Sequence, residues 1–225
     1  MMHSRRQRYR AEMIDEAKRI ACDQLAEFGA SGVSVNAIAR RMGVTGPALY
    51  RYFTNRDELL TALIRDAYTD LAKTVEEVAG SRRAAAVRLR DMAAALHEWA
   101  VREPHRYLLL FGTPVPGYAA PQDTIDIANR LFVVFARTVA QLGESGDAMP
   151  RYAPQSAVER QLARLAPHRE LGDVPVRALR LAVIGLTRLH GVISLAVEGQ
   201  FTPMGIDGKL LVREEIDSII AEATA

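Results

Sequence analysis

Along most of the chain apolar residues return every three or four positions, the spacing of one face of an α-helix. No β-branched run alternates with polar residues between turn signals, as a half-buried strand would. The pattern predicts an all-α protein of about nine helices. The first is expected over residues 8–28, with Met13, Ala17, Ile20, Ala21, Leu25 and Phe28 on one side, ended by Gly29 and the Ala30-Ser31-Gly32 stretch. Two short helices follow, then a long one over 56–79 broken at Gly80-Ser81, and a fifth over 84–102 closed by Pro104. A short apolar turn at 107–111 leads into a proline- and glycine-rich loop, 112–121. Further helices are expected at 123–142, 157–166, 175–199 and 208–223, with 143–154 the best candidate for a mobile excursion.

The stretch 34–53, SVNAIARRMGVTGPALYRYF, carries the most information. Ser34 is placed to cap a helix whose inward residues are Val35, Ile38, Ala39 and Met42. Gly43 supplies a tight turn and Val44 points back into the core. Thr45 then caps a second helix, with Pro47 in its first turn, where a missing N–H does no harm. Ala39 lies four residues before Gly43 and Leu49 six after it, the small residue, turn and apolar anchor that two steeply crossing helices need. An ordinary helix hairpin satisfies the same spacing; the outward residues favour a nucleic-acid role. Gly46 and Ala48 are small enough for close approach to base edges, while Pro47 and Tyr50 suit thymine methyls, and Arg51 and Asn36 suit hydrogen-bonded readout. Arg5, Arg6, Ser34, Thr45, Tyr50, Tyr52 and Arg56 are expected to hold phosphates.

Charge changes that picture only by its placement. The net charge is +2, but residues 1–65 hold 11 Lys and Arg against 7 Asp and Glu, with Arg5, Arg6, Arg8 and Arg10 crowded into an N-terminal arm. Cys22 is the single cysteine, so no disulfide framework exists and a reducing compartment fits. No apolar run follows the first positives, so no leader is expected. Arg177, Arg180, Arg188 and His190 interrupt the most apolar segment, 174–197, so no membrane span is expected. The cytoplasm, at the nucleoid, is the expected location. The domain division expected is a DNA-binding head at 1–66, its basic arm at 1–10, and a helical sensing and dimerisation bundle at 67–225.

In the penultimate helix Leu179, Val183, Leu186, His190, Ile193 and Val197 form a stripe facing the subunit's own core. The other flank is apolar too, which suggests burial against a partner subunit. Leu181, Ile184, Val192 and Leu195, with Val212, Ile216, Ile219 and Ile220 of the last helix, are the expected homodimer interface. His190 is a polar ring on that apolar stripe. It is either a core histidine bonded to a carbonyl or to Trp99, or part of a ligand pocket with Trp99, Tyr107, Phe111, Phe132 and Phe135. The five histidines lack metal-ligand spacing, and neither a phosphate loop nor a nucleophile elbow is present, so no metal, cofactor or catalysis is expected.

The run Ala39-x3-Gly43-Val44, then Ala48-Leu49-Tyr50-Arg51-Tyr52-Phe53 and Arg56-Asp57-Glu58-Leu59-Leu60, resembles the DNA-binding domain of the tetracycline-repressor (TetR) family over roughly residues 10–65. Arg56 stands where that family usually has Lys. Trp99 with Pro104, Tyr107 and Phe111, and later His190-Gly191 with Glu198, Gly199 and Phe201, resemble the sensor type named for its Trp and His-Gly signature. The resemblance implies a two-fold dimer, its second helices in successive major grooves of a palindromic double-stranded operator, and a fourth helix linking head to sensor. The expected function is that of a repressor released by a small, largely apolar effector. An activator or ligand-free regulator would carry the same head, and a small-molecule-binding helical protein with a vestigial head is the alternative from another class.

Overall fold

The computed structural model describes residues 5–143 and 153–224; most of the excursion expected at 143–154, like the first four residues, lies outside them. The described residues form ten α-helices and no strand. In chain order they are α1 (Arg5–Phe28), α2 (Val35–Arg41), α3 (Gly46–Leu49), α4 (Arg56–Ala79), α5 (Ala85–Arg102), α6 (Pro104–Phe111), α7 (Gln122–Val139), α8 (Ala157–Leu165), α9 (Val176–Val197) and α10 (Gly208–Thr224). Three departures from expectation stand out. The arginines of the expected basic arm already belong to α1 from Arg5 onward. Pro104, expected only to close a helix, also opens α6 at a position where its missing N–H costs nothing, so the apolar turn is a helix. Phe28 is 59% exposed, because Gly29 ends α1 and its Cβ packs over the following turn at Gly32 instead of the core.

The chain divides into two compact units, one of residues 1–68 and 103–124, the other of 69–102 and 125–225. The divisions fall at Tyr68–Thr69, inside α4, and at two later points. The first unit therefore takes in more than the expected 1–66. Its core joins Ala17, Ile20, Leu25, Ile38, Leu49 and Leu59, and Leu109, Val115 and Tyr118 of the later stretch pack against it. The Tyr118 and Thr61 hydroxyls share a hydrogen bond of 3.0 Å, Arg65 pairs with Asp123, and the Tyr68 and Phe111 rings meet edge to face at 5.8 Å. Polar ties and apolar packing thus fix the returning segment on one core.

The second unit is organised around α9 and α10, which pack on each other and on α5, with α8 against α9. Gly185 permits the close approach: a Cβ there would meet Ile219 and Phe135 at 3.3 Å. Two of the three arginines of α9 are ion-paired, Arg180 with Glu159 of α8 and Glu222 of α10, and Arg188 with Glu215, while Arg177 donates to the Glu222 carbonyl at 2.6 Å. By length and composition α9 could cross a bilayer, yet Leu181, Ala182, Gly185, Leu186 and Leu189 are buried within the unit, as in a core helix. Helix α8 begins in a capping box, Ser156 with Glu159, and Glu159 is itself buried.

The expected dimer interface needs correction. Leu181, Val212, Ile216, Ile219 and Ile220 are buried in the chain itself, because α10 packs on α5 as well as on α9 and needs apolar residues on more than one side. Ile184 and Val192 are half-buried, and Leu195 is 44% exposed.

Candidate nucleic-acid interface

Helix α2 starts where the Ser34 hydroxyl accepts the Ala37 N–H at 3.4 Å, while Gln24 of α1 takes the Ser34 N–H at 2.9 Å. It ends in a glycine-dependent turn. Gly43 has φ 69°, and the N–H groups of Gly43 and Val44 bond to the carbonyls of Arg40 and Ala39 at 3.1 and 3.0 Å. This pairing satisfies the last free carbonyls of α2 and needs a left-handed residue at its centre. Thr45 occupies the N-cap of α3, but its side chain makes no capping bond, so the expected cap holds in position and not in chemistry. Helix α3 is one turn long, and Leu49 and Phe53 anchor it and the turn after it in the core.

Buried Val35, Ile38, Ala39 and Leu49 leave the opposite side outward. Ser34, Asn36, Thr45, Pro47, Tyr50 and Arg51 are exposed there, with Ala48 and Tyr52 half-buried. Gly46 is small for a different reason from the one expected: a Cβ would lie 2.9 Å from Oδ1 of Asn36, so glycine makes room for that side chain. The Arg10 guanidinium sits 5.3 Å from the centre of the Tyr52 ring, tying α1 to the turn after α3. Sequence reasoning did not pair these two, although a basic arm and an aromatic cluster were both visible.

Arg56 also departs from expectation. Its Nε donates to the Val33 carbonyl at 3.1 Å and one terminal nitrogen to the Ala30 carbonyl at 2.6 Å. The guanidinium thereby braces the turn between α1 and α2, and a residue engaged in this way is poorly placed to clamp phosphate. A fork can satisfy two carbonyls at once, which an ammonium cannot do in the same geometry.

The residues expected to form one ligand pocket are distributed over both units. Tyr107 and Phe111 belong to the first unit, their rings 5.1 Å apart. Trp99 and Phe135 are fully buried core of the second, where the Trp99 indole N–H goes to Asp70 Oδ2 at 3.0 Å. Phe132 lines a cavity. His190 is half-buried, and that burial lowers its pKa below the usual histidine value. His97 of α5 was missed although it lies on the apolar stripe of Leu89, Ala93, Leu96 and Ala100. It is 9% exposed, its Nδ1 finds no hydrogen-bond partner among the described residues, and burial lowers its pKa despite the attraction of Asp207.

A tri-helical head with a glycine turn, a one-turn second helix and an arginine-bearing outer face defines a helix-turn-helix protein. The chain belongs to the TetR family. Residues 19–63 match the family profile described as bacterial regulatory proteins, tetR family, and residues 89–219 match tetracyclin repressor-like, C-terminal domain. The HTH-type transcriptional regulator Rv1816 of Mycobacterium tuberculosis (strain ATCC 25618 / H37Rv) is 41% identical over 148 residues, 63% of this chain and 60% of the relative. The match thus spans about 60% of the curated relatives' length. The crystal structure of the regulatory protein SCO4313 is 42% identical, covers 97% of this chain and 100% of its own, and superposes with a TM-score of 0.81. The regulator FadR from Bacillus subtilis, solved with stearoyl-CoA, shares the fold alone, at 14% identity, 92% and 97% coverage and a TM-score of 0.54. The family is one of regulators and not of enzymes.

Proposed function

We propose that this chain is a ligand-responsive transcriptional regulator, a repressor that binds a palindromic DNA operator as a homodimer in the cytoplasm and leaves it when a small molecule occupies the second unit. The single observation that carries the reading is the head's outer face, where Asn36, Pro47, Tyr50 and Arg51 stand exposed on a core whose anchors Ile38 and Leu49 are fully buried. Tyr50 and Pro47 supply apolar contact for thymine methyls, and Arg51 and Asn36 supply hydrogen bonds to base edges. Ser34, Thr45 and Tyr52, with Arg5 and Arg6 on the first turn of α1, supply phosphate contacts that set register and carry no sequence information. Half-buried Ile184 and Val192 with exposed Leu195 favour the outward side of α9 as the surface shared with a second copy. Release by an effector requires that it bind the two states with different affinity; a coupling of roughly 1–3 kcal/mol is typical.

The test is selection of bound duplexes from a random pool, repeated across salt concentrations. A two-fold consensus with a steep salt slope supports the dimeric reader, and uniform weak binding with no enriched sequence overturns it. Repression is tested separately with a reporter under an enriched site: deletion of the gene should raise expression, and a fall would make the protein an activator.

A further inference from the structure

The stripe that buries α1 in the head continues past the edge of the core. Met13, Ala17 and Ile20 are its buried positions, and the same spacing of three and four, carried toward the N-terminus, falls on Arg10 and then on Arg6, both exposed. The inward face of α1 is therefore apolar inside the head and cationic beyond it. What Arg10 meets there is an aromatic ring: its guanidinium carbon lies over Tyr52, 5.3 Å from the ring centre.

Tyr52 is a residue whose direction needs fixing. It lies in the turn after α3, outside any helix, with its N–H on the Leu49 carbonyl at 2.9 Å. Its ring is half-buried against the head's core. A cation over the ring face is attracted by the ring's quadrupole, and the arginine stem covers apolar surface that water would otherwise reach. A contact made to the face leaves the hydroxyl, at the ring's edge, able to donate to a phosphate oxygen.

We propose that Arg10 is a positioning residue for DNA binding: held over the Tyr52 ring, it fixes the direction of the Tyr52 hydroxyl, which donates to a phosphate oxygen of the duplex. The assignment rests on the reading of the head as a DNA reader. It divides the basic arm by task. Arg5 and Arg6 meet phosphate through their charge, whereas Arg10 acts through a neutral hydroxyl, by reducing the orientations that the ring must give up on binding.

The experiment compares the full-length protein with Arg10→Gln, Tyr52→Phe and the double variant. Binding of the enriched duplex is followed by fluorescence anisotropy over a series of salt concentrations, at a temperature where melting curves show every variant folded. Arg10→Gln should weaken binding about two- to fivefold, the worth of an exposed cation–π contact. Its salt slope should change by less than about half, since no phosphate loses a charged partner. In the Tyr52→Phe background, where no hydroxyl is left to direct, the same substitution should cost less than about 1.5-fold. A cost that persists there, or a slope that falls by about one, makes Arg10 itself a phosphate ligand and overturns the positioning. An Arg10→Gln variant that binds as tightly as the unsubstituted protein overturns it too. The contact is checked without DNA by NMR: Arg10→Gln should move the Tyr52 ring signals and leave those of Tyr107, fully buried in the same unit. Unmoved Tyr52 signals remove the contact and the proposal. An unsubstituted protein that binds no duplex above background removes the DNA reader, and the positioning with it, whereas tight binding with a persistent Arg10 cost removes the positioning alone.

Discussion

Arg56 and Tyr50 differ in what they touch, and their substitutions should separate cleanly. Arg56→Ala removes two hydrogen bonds to the Val33 and Ala30 carbonyls, each strengthened by the charge on the donor. We expect a loss of about 1.5–3 kcal/mol in denaturant unfolding, with the salt slope of DNA binding unchanged. A variant of native stability whose slope had fallen by about one would restore a phosphate role to Arg56. Tyr50→Ala leaves the core alone, because the side chain is exposed, and should weaken DNA binding at native stability. Two histidines, His97 buried and His190 half-buried, set a pH dependence. Burial lowers both His97 and His190 from the usual 6.5, so the unfolded chain takes up protons that the folded one refuses. Their contribution is complete above that value and drains away as pH falls through 6.5 toward the depressed folded values. The midpoint of thermal unfolding should therefore drop between about pH 7.5 and 5.5, and His97→Asn should flatten part of the drop. A midpoint that held steady or rose on acidification would remove this account.

At the scale of elements, the sequence was most legible where local chemistry and burial agree. Ser34 marks the start of α2 by a capping bond it does make, and Gly43 marks its end by a backbone angle few other residues adopt. Gly43→Ala should cost about 1–2 kcal/mol through that angle alone, since a Cβ there meets no atom within 4 Å. A neutral result in equilibrium unfolding would mean that the turn relaxes. Helix α8 carries a comparable signature, Ser156 followed by Glu159, whose side chain also reaches Arg180. Glu159→Ala should cost about 1–2 kcal/mol and raise hydrogen exchange first in α8; uniform exchange across α9 and α10 would contradict a local role. What periodicity did not reveal was which neighbour each apolar face meets. Ile216 and Ile219 read equally well as a partner-facing or a self-facing stripe, and only the presence of α5 beside α10 decides between them.

For the whole molecule, the question is how many copies act together. Among the expected interface residues, Leu195 has the most exposed side chain, and Leu195→Glu should leave unfolding unchanged while shifting sedimentation toward a single copy and weakening operator binding. An unaltered sedimentation profile would move the shared surface elsewhere. The division of the chain was the least legible feature, since a run of helical periodicity through 56–79 gives no sign that contacts change partners at Tyr68–Thr69. That division bears on anyone wishing to graft this reader onto a foreign sensor. The reader is not a contiguous cassette: a transplant ending at residue 68 would leave behind Leu109, Val115 and Tyr118 and bare the apolar surface they cover. A working chimera would have to carry residues 103–124 as well, spliced back through whatever helices the host provides.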